Sequence, residues 1–134
     1  MKRINSICII DDDPITIFGI KKLLGSLDLC DNISTYNNGK TAIDAVKEMI
    51  EEKKELPEVI FLDINMPIMD GWQFLEEFIG LPISKKIRIN IITSSIDRMD
   101  LEKSEMYKSK THHPIEFNNK PICRKEIAEI TKAA

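Results

Sequence analysis

The sequence predicts a doubly wound α/β fold, a five-stranded parallel sheet with helices on both faces. Two observations carry that prediction. Short, nearly continuous apolar runs recur along the chain, rich in isoleucine, which occurs 24 times in 134 residues. Strands covered on both faces of a parallel sheet read this way, whereas half-exposed strands alternate. Polar helical stretches separate the runs, so the order is strand then helix, five times over. Such alternation implies right-handed crossovers that place helices on either side of the sheet.

The elements follow in chain order. Ile7-Cys8-Ile9-Ile10 is the first strand. Asp13-Pro14 opens the first helix, because Asp caps and Pro at the first position loses only a donor that was already free. Ile17, Ile20 and Leu24 follow at helical spacing, with Gly25 placed to end the element. Ile33 to Tyr36 is a weaker strand. From Thr41 to about Glu55, the residues Ala42, Val46, Met49 and Ile50 mark one helical face, and the charged run from Glu51 to Glu55 reads as a solvated end. Val59-Ile60-Phe61-Leu62 is the third strand. Asp70-Gly71 then opens a short helix carrying Phe74, Leu75 and Phe78. Ile89 to Ile92 is the fourth strand, followed by a helix from Asp97 to Tyr107 with a sparse apolar face of Met99, Leu101 and Met106. Ile115 to Asn118 carries Glu116 and asparagine, so it belongs at an edge where polar side chains reach water. Cys123, Ile127 and Ile130 mark a last short helix.

Size and composition exclude several classes. A chain of 134 residues with 43% apolar and 31% charged residues reads as a single domain over 1–134 with no output module. Nineteen basic against 22 acidic residues give no electrostatic case for nucleic-acid binding. No apolar run is long enough to cross a bilayer, and the apolar N-terminal run stops at Asp11, too soon for a signal peptide. Cys8, Cys30 and Cys123 show no C-x-x-C pair and read as reduced core thiols of a cytoplasmic protein.

The chemistry gathers at the carboxyl ends of the strands, where open parallel sheets bind their ligands. The first strand runs into Asp11-Asp12-Asp13, the third ends at Asp63, the fourth at Thr93-Ser94-Ser95, and the fifth at Lys120-Pro121. Carboxylates packed together raise one another's pKa, which a divalent cation among them relieves. Oxygen donors without His or Cys favour Mg²⁺. An Asp beside Lys120 and Thr93 suits a nucleophile that attacks a phosphoryl group to give an acyl phosphate. That transition state needs neutralised phosphoryl oxygens and little else.

These residues resemble the receiver domain of two-component response regulators. The matching pieces are Asp11-Asp12, the segment from Asp63 through Asn65, Met66, Pro67 and Met69 to Asp70-Gly71, Thr93-Ser94 and Lys120-Pro121, in the family's order over nearly the whole chain. The resemblance implies the strand order 2-1-3-4-5 of CheY-like, flavodoxin-like folds. It implies that Asp63 is the phosphoacceptor, charged by a histidine kinase or a histidine phosphotransfer protein. Asp12 would bind Mg²⁺ directly and Asp11 mainly through water, with Asp63 and the Asn65 backbone carbonyl completing the protein ligands. Thr93 and Lys120 would contact the phosphoryl group, and a cis peptide before Pro121 would aim Lys120 inward. Thr93 and Phe117 would form the switch, without the phenolic hydroxyl of a tyrosine at position 117. Asn65 and Ser95 would border the phosphoryl site. The output would be a phosphorylation-dependent change of the face made by the fourth helix, fifth strand and fifth helix, read by an unnamed protein partner, in a monomer or weak dimer.

Plainer readings accompany these. Asp13 fits a helix cap better than a metal. Met66, Met69 and Trp72 read as packing, although Trp72 could report on the site by fluorescence. His112 and His113 precede Pro114 in a surface loop and carry no expected role. Two other functions fit parts of the sequence. One is a phosphorylation-independent interaction module on the same fold. The other is a small phosphohydrolase with an aspartyl nucleophile at Asp11-x-Asp13. On the receiver reading the chain is a phosphoacceptor, not a metabolic enzyme.

Overall fold

A computed structural model describes residues 4–30, 32–66, 68–94 and 97–132. Five strands and five helices alternate: β1 (Ile7–Ile10), α1 (Pro14–Ser26), β2 (Ile33–Tyr36), α2 (Gly39–Glu51), β3 (Val59–Asp63), α3 (Gly71–Ile79), β4 (Arg88–Thr93), α4 (Arg98–Lys108), β5 (Ile115–Asn119) and α5 (Arg124–Lys132). The strands form one parallel sheet in the order β2-β1-β3-β4-β5. The predicted fold class and strand order are therefore those of the structure.

Alternation along the strands divides the core into two layers. Ile7, Ile9, Val59, Phe61 and Ile92 face α1 and α5, where Ile20, Leu24, Ile127 and Ile130 meet them. Cys8, Ile10, Ile60, Leu62, Ile89 and Ile91 face the other way, against Val46, Phe74, Leu75, Phe78 and Tyr107. β1 and β3 are buried along their whole length, which explains their unbroken apolar runs. β5 lies at an edge with Glu116 exposed, as its composition suggested.

Several local expectations are corrected. Gly25 lies within α1, and the turn is made by Asp28 at φ 50°. α2 begins at Gly39, not Thr41, because Asn38 caps it by accepting the Thr41 N–H at 2.9 Å. It ends at Glu51, and 52–55 are exposed beyond it. The apolar residues of α4 do not face the core: Met99, Leu101 and Met106 are 66%, 50% and 43% exposed, and Ser104 and Tyr107 turn inward instead. The inward stripe of α4 is largely polar, so hydrophobic spacing picked the wrong side. Cys8 and Cys30 are buried, but Cys123 is exposed just before α5. His113 is buried rather than set in a surface loop: its Nδ1 accepts the Ile87 N–H at 2.9 Å, and its ring packs on Phe78. Among the described residues, no helix is long and apolar enough to cross a membrane.

Candidate acidic site at the carboxyl edge

The sheet delivers four groups to one edge. Asp11 follows β1 directly, Asp63 ends β3, Thr93 ends β4 and Lys120 follows β5. One oxygen from each of Asp11, Asp12 and Asp63 lies within 4.8 Å of the others. Asp11 and Asp63 are buried, while Asp12 is exposed at the mouth. The Lys120 ammonium reaches Asp11 Oδ2 at 2.9 Å and Asp63 Oδ2 at 3.6 Å. The Lys120–Pro121 peptide is cis, as the resemblance implied. The Lys120 N–H donates to the Thr93 carbonyl at 2.8 Å, which ties the end of β5 to the end of β4.

The electrostatics are strained in one direction. Burial pushes the Asp63 carboxyl up to about 6, and the Asp11 carboxylate adds to the shift, while Lys120 opposes it. Burial works against the Lys120 ammonium, but the Asp11 and Asp63 carboxylates outweigh it and raise its pKa. Asp11 Oδ2 has no exposure and accepts no aligned hydrogen bond, although the ammonium is close. A buried oxygen met by one ammonium, in a cluster of three carboxylates, is one that a hard cation would also satisfy. The donors are all oxygen, so the residues present fit a divalent cation of the Mg²⁺ type.

Neighbouring residues have other duties. Asp13 accepts from the Ile15 N–H and the Thr16 hydroxyl, both at 3.0 Å, and is the cap of α1. Its carboxyl is held below the usual range, chiefly by the Ile15 N–H. Asn65 donates its N–H to Asp63 Oδ1 at 3.2 Å, so its backbone sits beside the carboxylate. Thr93 is fully buried. Phe117 belongs to a separate aromatic group, tilted against Trp72 with centroids 6.1 Å apart. Pro67 and Ser95 lie outside the described residues.

Two close approaches shape the loop between β3 and α3. A Cβ on Gly71 would press on the Asp63 carbonyl and come within 2.7 Å of Ile64 Cα. The Gly71 N–H instead donates to the Ile64 carbonyl at 3.1 Å, seating α3 against the end of β3. A Cβ on Gly39 would fall 2.7 Å from the Met69 carbonyl, to which the Gly39 N–H donates at 3.0 Å. Sequence reasoning also missed Asp100, which accepts from Trp72 Nε1 at 3.4 Å. Its place at the third position of α4 gave no hint of that contact.

Against known proteins, the response regulator receiver domain matches residues 7–131. The chain belongs to that family. Receiver domains generally bind Mg²⁺ and are phosphorylated by histidine kinases or phosphotransfer proteins. A two-component response regulator of Oryza sativa subsp. japonica is 29% identical over 124 residues, which are 92% of this receiver and 19% of the plant protein. The receiver spans less than half the length of these curated relatives, from 7% of a Dictyostelium discoideum hybrid histidine kinase to 40% of a Vibrio cholerae response regulatory protein. In fold it is similar to a two-component response regulator from Cytophaga hutchinsonii, with TM-score 0.81, 23% identity, and coverage of 98% of this chain and 97% of that one. It is also similar to the Mn²⁺-bound form of response regulator Rcp1, with TM-score 0.74, 20% identity, and coverage of 95% and 89%.

Proposed function

We propose that this receiver accepts a phosphoryl group on Asp63 from the phosphohistidine of a kinase or phosphotransfer protein. The observation that carries the reading is the convergence of Lys120 with Asp11, Asp12 and Asp63 at one sheet edge. In the transfer, an Asp63 oxygen forms a bond to phosphorus as the P–N bond of the donor breaks. The electron pair leaves with the imidazole nitrogen. Asp11, Asp12, Asp63 and the Asn65 carbonyl would hold Mg²⁺. Bound there, the ion supplies positive charge to the phosphoryl oxygens. Lys120 supplies a second positive charge, and the Thr93 hydroxyl a donor. The manganese carried by Rcp1 supports a divalent ion in this fold.

Phosphorylation exchanges the −1 carboxylate of Asp63 for an acyl phosphate of roughly −1.5 to −2, so the site beside Lys120 gains at most one further negative charge. Lys120 then turns from Asp11 toward the phosphoryl group, and Thr93 and Phe117 carry the change to α4, β5 and α5. The donor is a protein, and Ile15 and Phe18 offer it an apolar surface on α1 next to the mouth, 79% and 66% exposed. The phosphohydrolase alternative is disfavoured by geometry. Asp11 has no exposure and Asp13 is committed to its cap.

The assignment is tested by trapping. After labelling with phosphoramidate and Mg²⁺, hydroxylamine converts an acyl phosphate to a hydroxamate. Peptide mapping should place it at Asp63. A hydroxamate at Asp11 or Asp12 would contradict the reading.

A further inference from the structure

Trp72 and Tyr107 form the floor of a groove of about 470 Å³ between α3 and α4. Their rings are stacked with centroids 5.8 Å apart and planes 15° apart. Asp70, Glu76 and Glu77 line the groove on the α3 side, and Lys103 lines it on the α4 side. Glu77 is paired with Lys47 at 3.0 Å, and Glu76 takes the Tyr107 hydroxyl as a hydrogen-bond donor. The Lys103 ammonium sits 5.8 Å from the centre of the Trp72 ring. Among the described residues it forms no ion pair. None of these residues belongs to the acidic cluster.

We propose that this groove docks a partner protein that places an arginine or lysine over Trp72, in the position Lys103 now fills. Three arguments support a cationic side chain. The groove's own occupant is an ammonium over an aromatic face, a favourable arrangement. With Glu77 neutralised by Lys47, Asp70 and Glu76 against the one ammonium of Lys103 still leave the rim negative, which repels an anionic partner and attracts a basic one. A purely apolar side chain would cover Glu76 without pairing it, at a desolvation cost. Arginine fits best, because its plane stacks on the indole while its edge meets Glu76. The occupant is thus a basic segment of a protein, held with Lys103 as its internal competitor.

The chain has a single tryptophan, so the Trp72 indole N–H gives one unambiguous NMR resonance. The probe is the peptide acetyl-Gly-Arg-Gly-amide, with its neutral citrulline counterpart as control, titrated into the unphosphorylated chain in EDTA. The arginine peptide should shift the indole resonance saturably, and the citrulline peptide should not. Lys103→Ala should tighten binding about two- to five-fold, the size of one exposed cation–π contact. Glu76→Gln should weaken it by a similar factor. Both positions are exposed, so neither variant threatens folding. Equal shifts with the two peptides, no tightening in Lys103→Ala, or no saturable shift in either protein would overturn the proposal. The site needs no phosphoryl group, so its failure leaves the reading of Asp63 untouched.

Discussion

The Lys120 ammonium lies 2.9 Å from Asp11 Oδ2, an oxygen with no solvent exposure and no aligned hydrogen bond. Before any cation or phosphoryl group arrives, this lysine is the positive charge that makes the buried carboxylates tolerable. Removing one partner of a buried pair leaves the other uncompensated, which costs about 3–5 kcal/mol in well-buried cases. Lys120 retains some exposure, so Lys120→Met should lose less, about 2–3 kcal/mol in EDTA. Mg²⁺ should restore part of the loss, since it binds the folded state and offsets the same repulsion. Urea unfolding with and without Mg²⁺ measures both effects.

Asp63 should be a stability liability in the metal-free protein. Its folded pKa, about 6, lies above the ordinary value of 3.8. The folded state therefore prefers the protonated acid. The stability linked to this group is present below pH 3.8 and lost as pH rises through about 6. Asp63→Asn should be more stable than wild type at pH 7.5 in EDTA, by about 1–3 kcal/mol. The advantage should vanish near pH 4. Denaturant midpoints at the two pH values decide it.

His113 acts in the opposite sense. Its pKa is pushed down to about 4 by burial and by the neighbouring His112. Its Nδ1 must be unprotonated to accept the Ile87 N–H at the approach to β4. The stability it contributes is present above pH 6.5 and lost as pH falls from 6.5 through 4. His113→Asn keeps an acceptor but cannot titrate. Its unfolding free energy should fall less between pH 7 and pH 4.5 than that of wild type, by about 2 kcal/mol.

Gly71 has no room for a side chain. A Cβ there would press on the carbonyl of Asp63 itself. Gly71→Ala should cost about 2–4 kcal/mol through overpacking, despite the better helix propensity of alanine. It should also slow phosphoryl uptake, because relieving the clash moves the end of β3. Thermal unfolding and the labelling rate are the two readouts.

The sheet was legible because burial on both faces leaves little ambiguity in runs such as Val59 to Leu62. The site was legible for a related reason. A carboxylate ending a buried strand, as Asp63 does, is costly to take out of water, so it points to chemistry. What the sequence hid depends on contacts between distant elements. Met99, Leu101 and Met106 looked like a core face until Trp72 and Tyr107 filled the space beneath α4. His113 looked like loop until the Ile87 N–H needed an acceptor. Ile68, 81% exposed at φ 71°, occupies a left-handed turn that composition would assign to Gly or Asn. No local pattern announces that conformation.

The most direct measurement is intact mass after incubation with acetyl phosphate or phosphoramidate, with Mg²⁺ or EDTA, for wild type and Asp63→Asn. One added phosphoryl group is expected in wild type with Mg²⁺ and none in the other three samples. An equal addition to Asp63→Asn, or to wild type in EDTA, would contradict it.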